Sequence, residues 1–331
     1  MGLTPSCDII QTFVVSNATN IQELPDVCYG LGNYVVVWTD LRDGTNRLIR
    51  AARVTPQWGV LDTGHVVCSN SNYQITPVIA FDGTRYLTAW QDLAYPFGIR
   101  CRFLGGDGLP QDSVIPISSA SSAANPRICF DGVNYFVVWQ EYTTTNHIMG
   151  RFISPGGSLI GDAITITSGP ENHVSPALCH DGNRFLVTWS EMQIFGQFLS
   201  GTGALIGPAF QISNAVYEHV DPDVFFGSDR FLAVWSEFRT DYDIYGNLDV
   251  QVGLEDSNCI AIAGEEFDLD RTVFVSRIEI IGAGGKRVSI FDILGKKIAE
   301  TTNGVWEAGS FPPGVYFLSV NGQVMRAVKV R

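Results

Sequence analysis

The chain has 331 residues, a formal net charge of −13 at pH 7 and a hydrophobic fraction of 45%. That length allows one or two domains, and no apolar run reaches the ~18 residues of a membrane-spanning helix. Residues 1–252 hold 24 acids, 12 Arg and no Lys, whereas residues 253–331 hold 10 acids and 9 bases; the acidic part excludes nucleic acid, which needs a basic footprint, and disfavours an anionic membrane surface.

The N-terminal stretch Met1–Ser6 lacks the basic start and apolar core of a secretion signal, so the chain reads as cytosolic or as a trimmed or partial chain. A strand is expected at Ile10–Val15, followed by Ser16 and Asn17. From there a repeat takes over. Tyr34–Asp40 (YVVVWTD) returns as Tyr86–Asp92, Tyr135–Glu141, Phe185–Glu191 and Phe231–Glu237. Its Trp residues stand at 38, 90, 139, 189 and 235, each 13 residues after a proline at 25, 77, 126, 176 and 222.

Each proline-to-Trp interval holds two short strands and a tight turn. Asp82-Gly83, Asp131-Gly132 and Asp181-Gly182 sit between apolar runs, a strong hairpin signal because Gly accepts positive φ. The strands are rich in β-branched and aromatic residues and nearly continuous in hydrophobicity, which suits burial on both faces. A third strand follows (Ile99–Phe103, Ile148–Phe152, Ile194–Phe198, Ile244–Leu248), and then a fourth (Val66–Cys68, Val114–Ile117, Ile164–Ile166, Phe210–Ile212). Four antiparallel strands at this period make the blade of a β-propeller. Five repeats but only four C-terminal copies of the fourth strand predict an all-β, five-bladed β-propeller over residues 1–252. In this reading the N-terminal strand completes the last blade and closes the ring, removing free edges.

The seven Cys residues show no metal spacing. Cys28, Cys129 and Cys179 share one repeat position and read as core filler. Cys7 and Cys259 flank the expected closure and are a candidate disulfide. It would close a long loop, worth roughly 4–5 kcal/mol in the chain-entropy model.

Beyond residue 253 the repeat ends. Some seven short strands with Gly-rich turns suggest a small Ig-like β-sandwich over 253–331. Within it, Val288–Ile298 carries Asp292 and Gly295, Pro313–Val320 carries Gly314 and Tyr316, and the chain ends on Arg331. This order of motifs resembles the C-terminal sorting domain of the type IX secretion system of Bacteroidetes-type bacteria. The resemblance implies export by that machinery across the outer membrane, and an extracellular or outer-membrane surface location.

The acid two residues after each Trp is present in every blade: Asp40, Asp92, Glu141, Glu191 and Glu237. The five are expected on one face. Such a ring has the oxygen chemistry for Ca²⁺ or for sugar hydroxyls. The architectural reading, with each acid accepting N–H bonds or pairing with an Arg of its own blade, is preferred. No other cofactor is implied. Loop aromatics Tyr95, Tyr142 and Tyr242, with Phe97 and Tyr217, are expected on the same face and suit stacking on sugars or peptides. Catalysis breaks symmetry, and the asymmetric acids are Asp26 and Asp223, one residue after their prolines, where other blades have Val78, Arg127 and Ala177. His147, His173, His180 and His219 show no ligand spacing. The leading expectation is a secreted, non-catalytic binding or adhesion module for carbohydrate or a surface protein, leaning away from an enzyme. The alternatives are a glycan-active enzyme using Asp26, Asp223 and one of the ring acids, and a structural component of a surface layer or filament.

Overall fold

The computed structural model describes residues 2–3 and 9–248 except 70–72, 96, 119, 121, 214–216, 228–229 and 239–240. Further on it describes 262–263, 273–274, 277–280, 287–292, 296–302, 305–307, 311, 314–320 and 323–329. The chain divides into two compact units, Met1–Leu248 and Asp249–Arg331.

In the first unit five antiparallel sheets succeed one another, each a meander of consecutive strands. Blade one is Gln22–Gly30, Asn33–Asp40, Leu48–Val54 and His65–Val66. Blade two is Gln74–Phe81, Tyr86–Asp92, Gly98–Leu104 and Pro110–Pro116. Blade three is Ala123–Phe130, Tyr135–Tyr142, Asn146–Ile153 and Leu159–Thr165. Blade four is Val174–His180, Arg184–Ser190, Ile194–Ser200 and Leu205–Gln211. Blade five has three strands, Glu218–Gly227, Arg230–Phe238 and Tyr242–Leu248. This is the all-β, five-bladed propeller that the repeat predicts.

Local chemistry accounts for the hairpins. At each Asp-Gly turn the Asp side chain accepts backbone N–H groups two and three residues on: Thr84 and Arg85 for Asp82, Val133 and Asn134 for Asp131, Asn183 and Arg184 for Asp181. Gly83, Gly132 and Gly182 take φ near +99°, +97° and +97°, where a side chain would be strained. The five Trp side chains are buried, and Trp90, Trp139 and Trp189 share core clusters with residues of the preceding blade. A polar residue of the third strand reaches back to the preceding blade: Arg102 donates to the Val67 carbonyl at 2.8 Å, Arg151 to Ile117 at 3.3 Å and Asn247 to Ile212 at 3.2 Å.

The closure differs from expectation. Among the described residues, Ile9–Gln11 pairs antiparallel with Gly2–Leu3, and the last blade keeps three strands. A local hairpin closes a far shorter loop than pairing with a strand more than 200 residues away, and loop entropy favours it. Among the described residues, no fourth strand is paired to Tyr242–Leu248. Ile244 is 74% exposed, whereas Ile49, Ile99, Ile148 and Ile194 at its repeat position are all at 0%. On the facing blade Tyr34 is 41% exposed, whereas Tyr86, Tyr135 and Phe185 are at 0%. The candidate disulfide, Cys7–Cys259, lies outside the described residues.

The second unit is also all β. One sheet orders Ile262–Ala263, Arg277–Ile280 and Val305–Glu307. The other orders Val273–Phe274, Gln323–Lys329, Gly314–Val320, Val288–Asp292 and Lys297–Thr301. The buried Trp306 ring meets Tyr316 at 5.1 Å and Phe311 at 5.4 Å, which links the two sheets. Asp292 closes a turn, accepting the Lys296 N–H on its side chain and donating its own N–H to the Lys296 carbonyl, both at 2.9 Å. Gly295 and Arg331 lie outside the described residues.

Candidate active site

The marker prolines build the centre of the propeller. Proline has no N–H for the ladder, and in all five blades the pairing of strands one and two slips there. The breaks fall between Glu23 and Asp26, Ile75 and Val78, Ala124 and Arg127, Val174 and Ala177, and Val220 and Asp223. The residue before each proline takes a left-handed conformation: Leu24, Thr76, Asn125, Ser175 and Asp221 have φ of 55°, 51°, 52°, 51° and 50°. Residues before proline ordinarily prefer extended backbone, and left-handed non-glycine residues cost roughly 1–3 kcal/mol each. Five such bulges at one register re-aim the side chains around them.

All five left-handed residues, with Asp26, Val78, Arg127 and Asp223, line one funnel of about 560 Å³. Asp26 is half-buried. Its Oδ1 accepts the Val27 N–H and its Oδ2 accepts the Ile79 N–H of the next blade, both at 2.8 Å. Burial pushes its carboxyl above the usual range; the two N–H groups and the Arg127 guanidinium oppose that shift, and the Asp223 charge adds to it. Asp223 is exposed to the funnel and accepts its own Val224 N–H at 2.9 Å. Asp221 accepts the Ser175 hydroxyl at 3.0 Å. Gln140 Oε1 accepts the Ser175 N–H at 3.0 Å and the Asn125 amide at 3.1 Å. Asn125 and Ser175 were not foreseen. Their signal was available, since four of the five residues preceding the marker prolines are polar.

None of the five ring acids lines the funnel; each is engaged within its own blade. Asp40 is buried and accepts the Trp38 indole N–H at 2.8 Å and the Arg42 guanidinium at 2.8 Å. Burial opposes its charge, but the Arg42 and Trp38 hydrogen bonds outweigh that and hold the carboxyl below the usual range. Glu141 accepts the Trp139 N–H at 2.8 Å and the Ser118 hydroxyl at 3.3 Å. Asp92 accepts the Ala94 N–H at 3.1 Å. Glu191 takes the Trp189 N–H at 3.5 Å and lies 3.3 Å from His173 Nε2, and Glu237 lies 2.7 Å from His219 Nε2. Tyr95, Tyr142 and Tyr242 are exposed, and none lines the funnel.

No family model and no curated protein matches the chain. Among solved structures it is similar to a thermostable family-43 glycoside hydrolase (12% identity, TM-score 0.46, covering 70% of this chain and 91% of that one). It is also similar to an arabinanase of Bacillus subtilis (12%, 0.41, 70% and 95%), and to an endo-arabinase of Bacteroides thetaiotaomicron (12%, 0.43, 74% and 99%). The expectation of a non-catalytic binding or adhesion module, leaning away from an enzyme, is corrected here: the neighbours are by name a glycoside hydrolase, an arabinanase and an endo-arabinase. At this identity they bear on the fold alone, and any catalytic role stands on the chemistry of the funnel.

Proposed function

We propose that the propeller is a glycan-active enzyme of glycosidase type, with its reaction centre in the funnel. The observation that carries this reading is the set of unlike groups at one repeat position: Asp26, Asp223 and Arg127 face the funnel where symmetry elsewhere puts Val78 and Ala177. Glycoside hydrolysis needs two carboxyl groups in different protonation states. Asp26 has the property of the general acid, because burial favours its protonated form. Asp223, exposed in the funnel, supplies the second carboxyl. Arg127 faces the same funnel, and Asn125, Ser175 and Asp221 supply donors and acceptors for sugar hydroxyls.

The second unit, over residues 253–331, is proposed to be an Ig-like sandwich that serves as a type IX sorting domain. The enzyme then works outside the cell or on the outer-membrane surface, with the secretion machinery as partner. The motif order around Asp292, Gly314 and Tyr316 supports this.

The test is a reducing-sugar assay of the full chain on arabinan, galactan, xylan and mannan. At least one substrate is expected to be hydrolysed, with a rate that falls as pH rises through the raised Asp26 pKa, since the protonated form is the working one. Asp26→Asn and Asp223→Asn should each lower kcat by about 10²–10⁴-fold with the circular-dichroism spectrum unchanged. Hydrolysis that survives both substitutions sinks the assignment, and no turnover on any polysaccharide sinks the reading.

A further inference from the structure

The position three residues before the marker proline is His in blades four and five, His173 and His219, and each stands against the ring acid of its own blade. In blade five the two groups form a closed pair: His219 Nε2 lies 2.7 Å from Glu237 Oε2, with side chains only 1% and 2% exposed. Blade four is built differently. His173 Nε2 is 3.3 Å from Glu191 Oε2, and the loop entering the blade adds Glu171, where blade five has Tyr217. One ligand atom from each of Glu171, His173 and Glu191 lies within 4.8 Å of the others.

We propose that Glu171, His173 and Glu191 form a site for a divalent transition-metal cation such as Zn²⁺, apart from the funnel, none of whose lining residues it uses. The orientation of His173 is the first reason. Its Nδ1 is 3.2 Å from the Asn146 carbonyl oxygen. A carbonyl can only accept, so Nδ1 carries a proton, and Nε2 is the ring nitrogen that faces the carboxylates and is left for a metal. That is the backbone-locked tautomer usual for a metal-ligating histidine. The second reason is spacing. Zinc bonds to His and carboxylate are about 2.0–2.2 Å, so neighbouring ligands of a tetrahedral ion lie about 3.3–3.5 Å apart, which the His173–Glu191 separation of 3.3 Å matches.

A second imidazole borders the site. The His147 ring centroid is 5.9 Å from that of His173. Thr145 Oγ1 lies 3.3 Å from the Gly169 carbonyl and 3.3 Å from His147 Nε2. The hydroxyl has one proton, and the carbonyl can only accept it. Nε2 of His147 is then the donor to Thr145, and Nδ1 keeps a lone pair. That Nδ1 is buried and has no hydrogen-bond partner; the atoms that lie within 4.8 Å of one another belong to Glu171, His173 and Glu191. The loop also makes room. Gly169 has φ +121°, and a side chain there would come within 2.8 Å of Glu171 Oε2. Two carboxylates and an imidazole suit zinc-type ions better than the all-oxygen preference of Ca²⁺.

Isothermal titration of the full, chelator-treated chain with ZnCl₂ tests the site. One equivalent is expected to bind, and Glu171→Gln and His173→Gln are each expected to weaken binding by at least about 10-fold. Glu171 is exposed, so its variant keeps the fold and remains decisive if His173→Gln does not fold. Absence of zinc binding to the wild type overturns the proposal. So does binding of unchanged affinity in Glu171→Gln, or binding of Ca²⁺ at the site in preference to zinc. None of these outcomes depends on polysaccharide hydrolysis.

Discussion

At the scale of single residues, burial does opposite things to chemically similar groups. Asp26 and Asp40 are both shielded from water, yet Asp26 is shifted toward its neutral form and Asp40 toward its charged form. Asp40 has charged and indole donors, whereas Asp26 has backbone N–H groups and only a distant guanidinium. A carboxylate whose folded pKa is depressed stabilises the fold above the unfolded value near 3.8, and that stability is lost as pH falls through the folded pKa. Asp40→Asn should therefore cost about 1.5–3 kcal/mol at pH 7, the worth of hydrogen bonds to a charged group. The cost should shrink below pH 3.8, as read from urea unfolding at both pH values. The thiols sharing one repeat position give a second residue-scale expectation. Burial pushes Cys28 and Cys129 up to about 11 and Cys179 up to about 12. All three should react with Ellman's reagent at pH 8 far more slowly in the native chain than after unfolding in urea, because the thiolate is the reactive form.

At the scale of elements, the blades were legible and their centre was not. The Trp-to-carboxylate interval, the Asp-Gly turns and the 13-residue spacing from proline to Trp all act within one or two strands, so their periodicity shows in the chain. The left-handed residue before each proline contradicts the local preference of that dipeptide. Only the packing of five first strands around an axis imposes it, so Asn125 and Ser175 escaped notice beside Asp26 and Asp223. His173 and Glu191 are 18 residues apart and share no ligand motif; strand pairing of Val174 with Ser190 brings them together. The last blade shows what an element loses with its outer strand. Ile194 has the Ile212 and Ser213 N–H groups on its carbonyl and the Ser213 hydroxyl on its N–H, whereas Ile244 is an exposed edge residue. Amide exchange should be faster at Tyr242–Leu248 than at Ile194–Ser200, since local opening costs least where burial is least. Mass-spectrometric exchange over minutes to hours checks this, and equal protection in the two strands would show that blade five is covered.

At the scale of the whole molecule, the acidic, Lys-free composition of residues 1–252 and the balanced composition of 253–331 parallel the two compact units. What composition could not convey is that, among the described residues, the last blade keeps three strands, because loop entropy and edge pairing compete there over most of the chain's length. The residue after each marker proline occupies one backbone register five times. Asp, Val, Arg, Ala and Asp already stand there, so the scaffold tolerates acid, base and hydrocarbon alike. The funnel is in effect a small library of slots, four of which (Asp26, Val78, Arg127 and Asp223) line it: Val78 and Arg127 can be rewritten with the Trp residues and the turns left untouched, whereas Asp26 also carries a bond to the next blade.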